Sequence, residues 1–150
     1  MIDESTLSDF LKAYGYVGIR MSKNALGHFE LQASINGVES LLLVDTGAAR
    51  TVIALASAAK YSLQLTESGE LAGGLGTAGH QFSTATADDL TLHPLRLGPR
   101  PVWVMDLEHV NQALTARGGR GVDGLVGGDL LADKHAIIDY RNSILYLQSE

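Results

Sequence analysis

An apolar run that ends in an acidic turn constrains this chain more than any other feature. In the stretch LLLVDTGAARTVI, residues 41–44 predict a buried strand and Asp45-Thr46-Gly47 follows directly. Burying an aspartate costs several kcal/mol unless it is paired or hydrogen-bonded. A structural reason would be that Asp45 caps the turn and Thr46 bonds the local backbone. The apolar run before the turn and the β-branched residues 51–53 after it favour a functional carboxylate instead.

The segments around this motif predict a mainly β protein with short helices. Asn36-Gly37 stands between an alternating and an apolar run, which is typical of a two-residue hairpin loop. Threonine-rich stretches over residues 80–105 predict strands, with turns at Gly98 and Pro99. Helices are predicted over residues 5–14, from Asp106 through residue 114, and in GGDLLADKH. The last segments, AIIDY and SILYL, predict a hairpin that turns at Arg141-Asn142.

Composition excludes several function classes. The 150 residues are 45% hydrophobic and 19% charged, which fits one globular domain. The net charge of −6 is spread along the chain without a basic stripe, so we expect no nucleic-acid partner. There is no secretory signal and no apolar run long enough for a bilayer, so we expect no membrane partner. The absence of cysteine excludes disulfides and thiolate zinc sites and agrees with a cytoplasmic location.

The motifs resemble those of a known family, the retropepsin-like aspartic proteases of clan AA, in the single-domain form found in bacteria. Asp45, Thr46 and Gly47, followed by Ala48, look like the active-site segment of this family. VDGLVGGDLLADKHAIIDY is similar to its second signature, in which Leu125, Val126 and Gly127 precede a short helix. AIIDYRNSILYL is similar to the closing hairpin of bacterial members. The resemblance covers residues 29–147 in the expected order.

The resemblance implies a closed, mainly β retropepsin-like barrel, the acid-protease fold, with one or two short helices. We expect an N-terminal helix and lead-in strand over residues 1–24 and the protease domain over residues 25–150. The implied activity is endopeptidase hydrolysis of a peptide or protein substrate, without metal or cofactor. Asp45 would be the catalytic residue. The active-site turn and a dimer contact would be formed by Thr46, Gly47 and Ala48. The wall behind the site would be formed by Leu125, Val126 and Gly127.

Hydrolysis of an amide by carboxylates requires two of them at one water. Two carboxyl groups about 3 Å apart share a single proton, because both cannot ionise together. The chain has only one Asp-Thr-Gly. The second aspartate is therefore expected from another copy, in a homodimer with the site on its two-fold axis. Since Ala48 replaces the serine of pepsin-type enzymes, a hydrogen bond to the pair is lost and we expect a working pH nearer neutral.

Two other aspartates are alternative candidates for a catalytic carboxylate. Asp123, in Val122-Asp123-Gly124, would supply a second carboxylate from the same chain, but a loop or turn role is favoured. Asp139, in AIIDY, is flanked by a strand that the resemblance implies is structural.

A glycine-rich stretch, LAGGLGTAGH, contains G-x-G-x-x-G at residues 74–79. A phosphate-binding loop needs a strand before this pattern and a helix after it. The preceding LTESGE is turn-like and the following HQFSTATADDLTL is strand-like, so a dinucleotide site is disfavoured, and a surface loop is the plain alternative. By resemblance the stretch is the tip of a substrate-covering flap, formed by Gly73, Gly74, Leu75, Gly76, Thr77, Ala78 and Gly79.

A second hypothesis is that the domain has this fold but catalyses the reaction weakly or not at all. The domain would then be a dimerising or peptide-binding module with weak or no hydrolysis, because fold does not guarantee activity. Ala49, at a position where relatives often carry Ser, Thr or Asp, leaves room for this alternative. The five histidines have no metal-ligand spacing.

Overall fold

The computed structural model describes residues 3–72 and 80–149. Three α-helices, a 3-10 helix and eleven strands are present in these residues. The helices are α1 (Glu4–Lys12), α2 (Glu108–Ala116), α3 (Gly128–Asp133) and the 3-10 helix Leu55–Tyr61. The strands are β1 (Tyr16–Arg20), β2 (Ser22–Lys23), β3 (Phe29–Ile35), β4 (Val38–Val44), β5 (Val52–Ala54), β6 (Thr66–Ala72), β7 (His80–Leu92), β8 (Leu95–Met105), β9 (Gly124–Val126), β10 (Ile137–Asp139) and β11 (Ile144–Gln148).

Six strands close into a barrel. They follow one another in the order β3-β4-β9-β5-β8-β7, and pairing between β3 and β7 closes the ring. Strands β2 and β6 extend the sheet beside β3 and β7. The expected mainly β, closed barrel is thereby confirmed.

The alternation of side chains along the barrel strands produces two apolar clusters. Successive residues of a strand point to opposite faces of a sheet. The larger cluster takes buried residues from all six barrel strands, including Leu42 on β4 and Val126 on β9. The neighbouring residues Leu43 and Leu125 point the other way, into a second cluster that also holds Leu114 of α2. Helix α2 therefore covers the outer face of β4 and β9.

A second sheet joins the two ends of the chain. Its order is β1-β11-β10, and β1 pairs antiparallel with β11 from Tyr16↔Gln148 to Arg20↔Ile144. Helix α1 begins after Asp3, whose carboxylate accepts a hydrogen bond from the backbone N–H of Thr6 at 2.8 Å. The predicted closing hairpin is present, because β10 pairs antiparallel with β11. The domain boundary after residue 24 stays a prediction.

The hairpin loops follow the sequence at one position and depart from it at another. Asn36 and Gly37 join β3 to β4 with φ of 51° and 81°, as the Asn-Gly pair predicts. The turn predicted at Gly98 and Pro99 is wrong, since both residues lie inside β8 and the chain turns at His93-Pro94. Gly98 uses its φ of 71° where the β7–β8 register shifts, so its positive φ serves a bulge within the strand pair.

Candidate active site

Asp45 lies at the end of β4, where the strand leaves the barrel. Its backbone N–H donates to the carbonyl of Val126 on β9 at 3.0 Å, and the Ala48 N–H donates to the Asp45 carbonyl at 3.2 Å. The Gly47 N–H donates to the Asp45 Oδ1 at 2.9 Å. Asp45 is half-buried, whereas Thr46 and Gly47 are exposed. The carboxylate is thus oriented by its own turn and remains accessible from outside.

The wall behind Asp45 is strand β9 and the glycine after it. Leu125 and Val126 pair with Leu43 and Val44 of the parallel strand β4. A Cβ atom on Gly127 would lie 2.2 Å from the carbonyl oxygen of Arg50, which is closer than any side chain tolerates. The structure therefore brings the predicted wall residues beside the predicted active-site turn, and only glycine fits at position 127.

A partly buried hydrogen-bond network connects the loop after Asp45 to α3. The Asp129 Oδ1 accepts bonds from the Thr51 N–H and the Thr51 hydroxyl, both at 2.8 Å, and from the Leu130 N–H at 2.7 Å. The Gly127 N–H donates to the Thr51 Oγ1 at 3.2 Å. Further backbone bonds run from the Gly128 N–H to the Ala48 carbonyl at 2.7 Å and from the Asp129 N–H to the Ala49 carbonyl at 3.0 Å. These contacts fix the segment after the Asp45 turn.

The sequence analysis missed the Thr51–Asp129 pair. Its signal was an aspartate directly after two glycines at a helix start, where a carboxylate bonds free backbone N–H groups. The partner, Thr51, is 78 residues away in the chain and could not be assigned from spacing.

A cleft of about 580 Å³ opens beside Asp45. Its polar lining includes Asp45, Thr46, Asn24, His28 and His109, whereas apolar lining comes from Leu26, Leu43, Val110 and Ala113, among others. Val110 and Ala113 belong to α2, which no motif had connected to the site. A space of this size, with one carboxylate at its edge, can hold an apolar side chain next to a reacting group.

Asp123 is held beside the middle of β4, at Leu41. Its carboxylate accepts bonds from the Leu41 N–H at 2.9 Å, the Ser57 hydroxyl at 2.9 Å and the Lys60 ammonium at 2.7 Å. Burial tends to raise the pKa of Asp123, but these hydrogen bonds outweigh burial and hold that pKa below its ordinary value of 3.8. Four strand residues, about 13 Å, separate position 41 from Asp45. Asp123 is thus one member of a structural ion pair, which agrees with the loop or turn role favoured from the sequence.

Asp139 is likewise occupied by local bonds. Its carboxylate accepts from the N–H of Asn142 at 3.1 Å and from the Asn142 side-chain amide at 2.8 Å. These bonds lower the pKa of Asp139 and close the turn between β10 and β11.

The predicted flap tip, residues 73–79, lies outside the described residues. Within residues 3–72 and 80–149, no group of three histidine, aspartate or glutamate side chains is arranged to hold a metal ion. None of the helices in the same residues has both the length and the apolar character that crossing a bilayer requires.

Comparison with known proteins identifies the family. Residues 31–130 match the model of the family described as aspartyl protease. No curated protein matches the chain in sequence. The fold is similar to a retropepsin-like aspartic protease from Rickettsia conorii, at 22% identity and a TM-score of 0.58, over 89% of this chain and 90% of that one.

Two further solved structures share this fold. The retroviral protease-like domain of Ddi1 from Leishmania major matches at 15% identity and a TM-score of 0.55, over 82% of this chain and 90% of that one. EIAV protease, solved with the inhibitor HBY-793, matches at 18% identity and a TM-score of 0.55, over 75% of this chain and 92% of that one. With the family model covering two thirds of its length and these solved structures sharing its fold, this chain belongs to the aspartyl protease family and has the expected retropepsin-like fold.

Proposed function

We propose that the protein is an aspartic endopeptidase whose catalytic pair is formed by Asp45 of two identical chains. The observation that carries this proposal is the position of Asp45, which is oriented by the Gly47 N–H at the edge of a largely apolar cleft. Family membership gives the chemical class, because hydrolysis by an aspartyl protease needs two carboxylates at one water.

The proposed reaction uses water as the nucleophile. One Asp45 carboxylate, ionised, takes a proton from the water while the other, protonated, donates a hydrogen bond to the scissile carbonyl oxygen. The titration then belongs to the pair, since the two groups share one proton. The Gly47 N–H at 2.9 Å restrains each carboxylate, which lowers the cost of aligning the pair.

The need for a second copy follows from the positions of the other candidate carboxylates. Asp123 is bound to Lys60 and to the middle of β4 at Leu41, and Asp139 is bound to Asn142. Thr46 and Gly47, in contrast, are exposed at the turn that carries Asp45. We propose that this turn, residues 45–48, meets its symmetry mate on the two-fold axis.

The same proposal includes the substrate-binding elements. Residues 73–79 connect β6 to β7, which pair antiparallel, and we propose that they form a flap over an extended peptide. The apolar lining of the cleft favours substrates with an apolar side chain beside the cleaved bond. The cytoplasmic location stays a prediction.

The test is digestion of an unfolded protein and a peptide library by wild type, Asp45→Asn and Asp123→Asn. We expect Asp45→Asn to abolish cleavage, because an amide cannot act as the base. Asp123→Asn is the matched control and should still cleave in the folded state. Equal cleavage by wild type and Asp45→Asn would refute the proposal, and peptide binding without any cleavage would favour the non-catalytic module.

Mixing experiments test the shared site. When wild type and Asp45→Asn exchange freely in equal amounts, only about one quarter of the dimers hold two intact carboxylates. Activity at constant total protein should therefore fall to that fraction. A fall to one half would show that each chain works alone.

A further inference from the structure

The exposed guanidinium of Arg50 lies over an aromatic platform, formed by Trp103 and Phe82, next to the loop after Asp45. Its guanidinium carbon lies 5.6 Å from the centroid of the Trp103 ring. Trp103 is stacked on Phe82 at 3.7 Å with an angle of 12° between the rings. Phe82 is only 6% exposed, so the lower layer of this platform is buried. A cation above an indole ring is attracted by the ring's negative face, and this attraction limits its motion.

The platform belongs to the face of the barrel on which the cleft opens. The Trp103 N–H donates to the Thr51 carbonyl at 3.0 Å, and Trp103 pairs with Val52 in the β5–β8 register. Trp103 packs against the apolar cluster that includes Leu43, a residue of the cleft lining. Arg50 follows Asp45 by five residues, so their Cα atoms are at most about 17 Å apart.

The charge of Arg50 is not neutralised within the described part of the chain. The ion pairs found there use Arg20, Lys60, Arg96 and Arg100 as cations, and His93 contacts Glu39. The guanidinium is planar, and its N–H donors lie along its edges. Those edges match the two oxygens of a carboxylate, which accept them in parallel.

We propose that Arg50 is a specificity-determining residue that selects peptide substrates with an aspartate or glutamate within about five residues of the cleaved bond. The inference rests on the proposed function, because it concerns the substrate of that site. A two-fold site carries Arg50 on both sides, so acidic residues should be favoured before and after the bond.

The experiment compares peptides that differ only by Glu, Gln or Lys at each position around the cleaved bond. For wild type we expect kcat/KM to be about five- to tenfold higher with Glu than with Lys at the selected positions, as for a partly exposed charge-assisted pair. Arg50→Glu should remove or reverse this preference. Lys12→Glu, at the exposed end of α1, makes the same change in net charge and should leave the preference intact. An unchanged Glu-to-Lys ratio in Arg50→Glu would overturn the inference.

A binding measurement separates this inference from the proposed reaction. Trp103 is the sole tryptophan of the chain, so its fluorescence reports on the platform directly. With Asp45→Asn, which leaves peptides uncut, we expect the Glu peptide to change this fluorescence at a several-fold lower concentration than the Lys peptide. The difference should vanish in Asp45→Asn with Arg50→Glu. Equal titration by both peptides would refute the role of Arg50 even if the protein cleaves them, and loss of cleavage alone would refute only the reaction.

Discussion

Replacement of Asp129 by alanine tests whether the buried network fixes the active-site loop. Thr51 is 2% exposed, and both its N–H and its hydroxyl donate to the Asp129 Oδ1 at 2.8 Å. Without that oxygen the Thr51 N–H is left buried and unpaired, at a cost of about 1–3 kcal/mol, and the hydroxyl adds about 1 kcal/mol. We therefore expect Asp129→Ala to lower the free energy of unfolding by about 2–4 kcal/mol.

Asp129→Asn is the matched control. Its amide oxygen can still accept at the Oδ1 position, so we expect a loss of only about 1 kcal/mol, from the missing charge. Unfolding in urea, at one fixed protein concentration, measures both variants, since association would make the midpoint depend on concentration. Turnover at a temperature where Asp129→Ala is folded should also fall, because Thr51 no longer anchors the loop.

Three results would contradict a structural role for the Asp129 network. An Asp129→Ala variant within about 0.5 kcal/mol of wild type would show that the network contributes little. Equal losses for the alanine and asparagine variants would assign the effect to charge rather than to the buried acceptor. A double-mutant cycle with Thr51→Val should give a coupling energy of about 1 kcal/mol or more, and a value of zero would contradict direct contact.

Three further predictions concern packing and titration. Gly127→Ala should lower the free energy of unfolding in urea by about 3 kcal/mol or more, because its Cβ would lie 2.2 Å from the Arg50 carbonyl oxygen. Gly128→Ala, whose Cβ would lie 3.2 Å from a carbonyl oxygen, should lower it by only about 1 kcal/mol. Equal values for the two variants would refute the steric argument. The hydrogen bonds that keep the pKa of Asp123 below 3.8 stabilise the fold above that pH, and this stabilisation is lost as the pH falls through the folded-state pKa. The difference in the free energy of unfolding between wild type and Asp123→Asn should therefore shrink in acid. A difference that stays constant with pH would contradict this. Leu114→Ala, at 1% exposure, should cost about 2–5 kcal/mol in the same assay, and a loss below about 1 kcal/mol would show that α2 is not packed on the barrel.

Local rules account for the parts of the fold that the sequence predicted well. The Asn36-Gly37 hairpin follows from the positive φ that both residues adopt, and the strand before Asp45 follows from its apolar run. The prediction of a turn at Gly98 and Pro99 was wrong, because a glycine with a positive φ fits a bulge as well as a turn. The pairing partner decides between those two uses, and a local pattern does not contain it.

The sequence by itself determined that a carboxylate, Asp45, stands on a sharp turn at a strand end, because an apolar run is followed directly by Asp45-Thr46-Gly47. It also determined the alternation that separates the two faces of β4. Only the tertiary structure decided which distant groups meet that turn: β9 behind Asp45, Asp129 against Thr51, α2 across the cleft and Trp103 beneath Arg50. Such contacts depend on barrel closure, which brings together residues separated by dozens of positions, and their geometry is set by packing rather than by any local propensity.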